Sequence, residues 1–324
     1  MNLFSLRRVK ASLAALLCGA ALSAHADFPS KPLTMVIPFA PGGTNDIVGR
    51  LIAKELSGSI GQQVVPENRT GGGGIVGWTA VARAPADGHT LLSLDMSFSI
   101  AAGLLTKIPF DPRKDFVPIA IVASTPFVMV VKADHPAKTV SEFVQSARNN
   151  PGKMNYGSAG NGTNSHLAAE VFKANNALSL THVPYKGASA VLQDLLSGQI
   201  DVLFTAMPTA LPMIKGGRLK ALMVTSPARV NQLPEVPAAP EAGQQDMVMD
   251  FWAGAAAPGN TPAAVVQQLN KAVVEAISRP EAKRTLTDLG LFAVLDSPEE
   301  AKRKVLAEID RWSAVIKAAK ITAD

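Results

Sequence analysis

Residues 33–56 read LTMVIPFAPGGTNDIVGRLIAKEL. Leu33 to Phe39 is a short apolar run of the kind that forms a buried strand. Ile47, Val48, Leu51, Ile52 and Leu56 then recur at helical spacing, and the helix is expected to end near Gly58. Between them lies Pro38-Phe39-Ala40-Pro41-Gly42-Gly43-Thr44-Asn45-Asp46. Strand, glycine loop and helix in this order open a β-α-β unit. The glycines let the backbone take positive φ and come close to a ligand. Unpaired N–H groups at a helix start, together with the positive end of its dipole, favour an anion there.

The alternation continues outward. Gln63 to Val65 reads as a strand, Ile75 to Arg83 as a helix behind four glycines, and His89 to Leu94 as a strand. Phe127 to Val131 is strand-like and Val140 to Ala147 helix-like. A second glycine loop, Gly157 to Thr163, leads into a helix reaching about Lys173. Leu180–Val183, Ile200–Phe204 and Leu219–Val224 are further strands, with a helix marked by Leu192, Leu195 and Leu196. This pattern predicts an α/β protein with parallel sheets covered by helices. Thr261-Pro262 reads as an N-cap followed by a proline at the first helical position. Ser297-Pro298-Glu299-Glu300 reads as a capping box. Proline-marked polar exits near 123–126 and 224–227 predict two passages between domains. Residues 27–124 with 225–324 would then form domain 1, and 125–224 domain 2.

The N-terminus reads as a leader. Arg7, Arg8 and Lys10 precede an apolar run from Ala11 to Ser23, and Ala24-His25-Ala26 is a small-x-small cleavage site. The run is too short for a membrane span, which needs about 20 apolar residues. Residues 1–26 are therefore expected to be a Sec signal peptide cleaved after Ala26, sending the chain to the periplasm. Cleavage removes Cys18, the single cysteine, so no disulfide is expected. Loss of three basic residues lowers the net charge from +5 to +2. With no basic block left, nucleic acid is a poor partner.

Chemistry-bearing patterns argue for binding over catalysis. The second glycine loop is spaced GxxGxG, and neither loop ends in the Lys-Ser/Thr of a phosphate loop. Gly-x-Ser-x-Gly is absent. His89, His135, His166 and His182 are scattered, and His166 with Glu170 at i, i+4 does not make a zinc site. No enzyme activity, metal or cofactor is expected. Two glycine loops, one per domain, would face each other and clamp an anion across a cleft. Asp87-Gly88 and Asp111-Pro112 read as turns.

Seven stretches carry a resemblance: PFAPGGTND at 38–46, ENRTGGGG at 67–74, ADGHTLL at 86–92, GSAGNGTNSHL at 157–167, HVPYKG at 182–187, GQIDVLF at 198–204 and APGNTP at 257–262. In this order they resemble the Bug-type receptors of the tripartite tricarboxylate transporter system, over nearly the whole chain after the leader. The resemblance implies a periplasmic-binding-protein (Venus-flytrap) fold of two α/β domains joined by two crossing strands. It implies a solute receptor, expected to be a monomer, that takes a small organic carboxylate and hands it to the transporter's membrane subunits. A sensory co-receptor for a membrane signalling protein is the alternative.

The resemblance also implies site residues. Phe39, Gly42, Gly43, Asn45 and Asp46 would form one cleft wall, and Ser158, Gly160, Gly162 and Thr163 the other, with Trp252 an aromatic beside the cleft. Ser97 joins the set, as do Thr205 and Met207, which stand where many relatives carry a more polar stretch. Asp95 follows the third strand, at the sheet edge where α/β ligands sit. It would either cap the next helix, the simpler role, or face the ligand. In the second case it would favour one carboxylate plus a cationic or hydrogen-bond-donating group, against an apolar wall of Met207 and Trp252.

Overall fold

A computed structural model describes residues 28–105 and 107–322. The expected leader and its cleavage site lie outside them. Of the described residues, Phe28 to Ser30 belong to one unit and Lys31 onward to a second. The second unit carries all the architecture that follows.

In chain order its elements are β1 (Leu33–Ile37), α1 (Thr44–Ile60), β2 (Val64–Asn68), α2 (Ile75–Ala82), β3 (Thr90–Asp95), α3 (Met96–Leu104) and β4 (Phe116–Lys132). Then come α4 (Val140–Asn149), β5 (Asn155–Ser158), α5 (Asn164–Asn176), β6 (Thr181–Pro184), α6 (Ala188–Ser197), β7 (Val202–Ala206), α7 (Met207–Lys215) and β8 (Leu219–Val224). The chain closes with β9 (Asp250–Pro258), α8 (Ala263–Ser278), α9 (Pro280–Asp288), β10 (Phe292–Ala293) and α10 (Pro298–Ala318).

The strands follow the path β2-β1-β3-β9-β4-β7-β5-β6, with β8 and β10 also on β4. β1 is parallel to β2 and β3, and β5 is parallel to β6 and β7, as the alternation predicts. The pairings of β9 and β4 are antiparallel, so the sheet is mixed. β9 is not legible as a strand because its run FWAGAAAP is dominated by alanine and glycine, which have low strand propensity. Packing demands those small residues: a Cβ on Gly254 would stand 2.0 Å from the carbonyl oxygen of Ala120 on the neighbouring strand.

β4 is 17 residues long and serves two ladders. From Phe116 to Pro126 it pairs with β9, and from Phe127 onward with β7 and β8. The chain returns to it twice at the changeover. Thr225 Oγ1 donates to the Met249 carbonyl (2.6 Å) and accepts the Phe127 N–H (2.8 Å). Backbone bonds join Thr225 N to Phe127 O (2.9 Å) and Met249 N to Thr225 O (3.0 Å). One buried threonine thus laces three passes of chain. The stretch between the two returns does not join the first ladder. Val230, Leu233 and Val236 pack into one apolar cluster with Val128, Val191 and Leu203 of the second.

Two helix starts test the capping signals. The Ser297–Glu300 capping box is present at α10, which packs on α3. At α8 the helix begins one residue later than expected. Pro262 is the N-cap, and the Thr261 hydroxyl makes no cap bond.

The threonine at the crossing gives the first prediction. Thr225→Val keeps the shape but removes the hydroxyl from two buried bonds. It should cost about 1–3 kcal/mol in urea unfolding, since unmet buried polar groups carry their full desolvation penalty.

Candidate functional site

Four strand ends converge on one cavity. After β1 come Phe39 and Gly43, after β3 Asp95 and Ser97, after β5 Ala159 and Thr163, and within and after β7 Thr205, Ala206 and Thr209. Thr44, Asn45, Asn164, Ser165, Ala188, Val191 and Leu203 complete the lining. The space inside, open mouth included, is about 470 Å³. Phe39 is held by an edge contact to Trp78, with ring centroids 6.2 Å apart, and Trp78 meets Phe98 in the same way at 5.6 Å.

The first turns of α1, α3, α5, α6 and α7 all contribute to this lining. No lysine, arginine or histidine does. Positive potential therefore comes from helix ends, at about 0.3–2 kcal/mol per helix for a nearby anion, and from neutral hydroxyls and amides.

The walls touch across the cavity. Thr44 and Thr209 hydroxyls are 2.8 Å apart, Ser189 Oγ donates to the Pro41 carbonyl at 2.8 Å, and Asn164 donates to Ser97 Oγ through Nδ2 (2.9 Å) and N (3.2 Å). Gly73 and Gly160 meet closely. A Cβ on Gly73 would lie 2.3 Å from the Asn161 carbonyl oxygen, and φ is positive at both glycines, so no larger residue fits that contact unchanged.

Asp95 sits at 1% exposure and caps α3 by accepting the Ser97 N–H at 3.0 Å. Burial pushes its carboxyl up to about 7, outweighing the bonds from Ser97, Asn45 and Phe98 that favour the ionised form. Capping and lining are therefore not alternatives here: Asp95 does both.

The family model described as the tripartite tricarboxylate transporter family receptor matches residues 48–321. The chain belongs to that family. Among solved structures, the receptor resembles the periplasmic binding protein BugD, at 32% identity and a TM-score of 0.87, over 91% of this chain and 99% of that one. It resembles MatC from Rhodopseudomonas palustris with bound malate, at 33% identity and a TM-score of 0.86, over 89% and 100%. Rpa4515 of the same organism, with adipate, gives 33% and 0.88 over 91% and 99%. The fold is the periplasmic-binding-protein fold, and both family and fold are those of solute-binding receptors.

Of the residues expected at the site, the receptor brings Phe39, Gly43, Asn45, Asp95, Ser97, Thr163 and Thr205 to the cavity. The others lie outside the lining. Asp46 accepts the Gly42 N–H (3.0 Å), Arg50 Nε (2.9 Å) and Asn68 Nδ2 (2.8 Å), so with Gly42 it shapes the first loop. Ser158 bonds His182 Nε2 (2.6 Å) and the Gly160 N–H (3.2 Å), and Gly162 donates to His166 Nδ1 (3.2 Å). The two imidazoles stack at 4.3 Å, with Tyr156 on His182 at 4.7 Å. Burial first, and for His182 the neighbouring His166 next, lowers both imidazoles, His182 to about 4. This stack holds the second loop from behind.

Met207 and Trp252 form no apolar wall in the lining. Met207 is fully buried in the apolar cluster that also holds Val128 and Leu203, against Gly290. Trp252 is buried on β9, opposite Ser124. Both side chains point into cores because position after or along a strand does not fix which face a residue takes. Thr44, Asn164, Ser165, Ala188 and Thr209 were absent from the expected set. Their shared signal is a place in the first turn of a helix that follows a strand.

Asp95 sets the second prediction. A carboxyl raised from 3.8 to about 7 contributes its stability fully below pH 3.8 and loses it as pH rises through 7. Asn retains N-cap ability without the charge. In the ligand-free protein Asp95→Asn should raise the melting temperature by a few degrees at pH 8, and the gain should vanish towards pH 3.8.

Proposed function

We propose that the receptor captures a small organic carboxylate in this cavity, in the periplasm after leader removal at Ala26, and delivers it to the membrane subunits of a tripartite tricarboxylate transporter. The observation that carries the reading is the convergence of five helix starts on a lining without basic side chains. Such a site neutralises a carboxylate with N–H dipoles and hydroxyls and adds no fixed positive charge. Relatives of the same family and fold hold malate and adipate, which supports the ligand class.

The cavity lies between the two ladders that share β4. We place one lobe on the β1–β3 and β9 side with the C-terminal helices, and the other from Thr125 to about Met249. Closure about the Thr225 crossing brings the walls together. The bonds between Thr44 and Thr209, Ser189 and Pro41, and Asn164 and Ser97 belong to the closed form. Ligand favours closure by as much as it binds that form better.

A thermal-shift screen of mono-, di- and tricarboxylates tests the ligand class. Ligand at 100 times its Kd adds about 2.7 kcal/mol, a rise of several degrees. Gly43→Val puts a branched side chain at the lining, where a Cβ already lies 3.5 Å from Ala188 Cβ. The variant should melt near the parent temperature and lose the ligand-induced rise. A rise that survives in Gly43→Val places the ligand elsewhere.

Closure is read by small-angle X-ray scattering. The radius of gyration should fall when the screened ligand saturates the protein. No change from an open ligand-free form overturns the two-lobe mechanism.

A further inference from the structure

The lining contains a pair of groups that a plain carboxylate does not use. Asn45 is 4% exposed, and its Nδ2 donates to the Ser93 carbonyl at 3.1 Å, which fixes the orientation of the amide. Its Oδ1 has no hydrogen-bond partner among the described residues. Asp95 lies beside it in the same lining, with no lysine, arginine or histidine there to balance it.

We propose that the solute carries a cationic N–H group besides its carboxylate, and that this group lodges against Asp95 and Asn45. The class is an amino-substituted carboxylic acid, not a simple di- or tricarboxylate. The inference rests on the reading of the cavity as a carboxylate site and refines it.

The geometry argues as follows. A buried amide oxygen is an acceptor only, whatever the pH. A buried acceptor left unmet costs about 1–3 kcal/mol, so the favourable ligand is one that donates to it. Asp95 alone is ambivalent: its carboxyl accepts from a cation when ionised and donates to a second carboxylate when protonated. Asn45 breaks the tie, because its Oδ1 repels a carboxylate in either case. An ammonium has several donors and serves both oxygens at once. The helix starts of α1, α5, α6 and α7 remain for the ligand carboxylate, while the start of α3 is already taken by Asp95. The cavity is thus polarised, with acceptors at the Asp95 end and N–H dipoles around the remainder.

The state of Asp95 supplies an independent readout. Held near 7 by burial, its carboxyl is partly protonated at neutral pH. An arriving ammonium favours the ionised form and expels that proton. A second carboxylate favours the protonated form and takes a proton up.

The experiment is titration calorimetry at pH 7 with matched acids: aspartate and succinate, glutamate and glutarate, 4-aminobutyrate and butyrate, 4-(aminomethyl)benzoate and 4-methylbenzoate. Each is run in two buffers of different ionisation enthalpy. The expected result is one or more pairs in which the amino member binds about tenfold tighter or better and releases protons. Asp95→Asn, which keeps a capping side chain, should narrow that ratio to about threefold or less and abolish the release. Melting curves of the variant confirm that it is folded. Three outcomes overturn the inference: plain acids that bind as tightly as their amino partners, an amino preference that survives Asp95→Asn, or proton uptake with the amino member. In each of these the carboxylate reading stands. If none of the acids binds, that reading falls together with this one.

Discussion

One strand shared by two ladders governs this receptor. Every backbone N–H and C=O of β4 needs a partner, and the strand meets that need by changing partners at Pro126–Phe127. The change fixes where the two sets of strands stand with respect to each other. It also directs the ends of β1 and β3 from one set, and of β5 and β7 from the other, at a common space. Ligands of open α/β sheets lie at such carboxyl ends. Here two ladders supply two such edges to one cavity. Thr225 keeps the arrangement in register by tying the outgoing pass at Phe127 to the returning pass at Met249.

The electrostatics follow from the same placement. A helix after each strand presents its N-terminus to the cavity, so positive potential is spread over several backbone ends. A lysine or arginine would concentrate it and demand a counter-charge when buried. The one ionisable group in the lining, Asp95, is acidic, and burial leaves it only partly ionised at physiological pH. The second loop is stiffened by uncharged means as well. His166 accepts the Gly162 N–H and stacks on His182, and burial keeps both imidazoles largely unprotonated.

Much of this was readable in the amino acids. Leu33–Ile37 and the face of Val48, Leu51, Ile52 and Leu56 define β1 and α1 by periodicity alone, and the Ser297–Glu300 box marks α10. The glycine loops identify the cavity mouth. Three things were not readable. β9 hides in a run of alanines whose small size is dictated by neighbours far away in sequence. The length of β4 is obscured by Pro118 and Pro126, which usually interrupt strands. Side-chain direction is a tertiary property, so Met207 and Trp252 look like cavity walls from their sequence positions and are core residues in the fold. Asn45 shows the reverse. It stands in a loop motif with obvious glycines, yet its significance lies in one amide oxygen, and only the packed structure reveals that this oxygen has no partner among the described residues.

The position of β9 also orders the assembly of the chain in time. It lies between β3 and β4 and is antiparallel to both, although it follows them by more than a hundred residues. Until residues 250–258 have emerged, β3 and β4 have open edges facing a gap. A chain appearing N-terminus first can complete the second ladder while the first still lacks its middle strand. Exposed strand edges invite pairing with other chains, and contacts of long sequence separation form slowly. Until then the early β1–β3 segment stays open to such pairing. A truncation before residue 250 leaves a product prone to stick to its neighbours, not a smaller receptor.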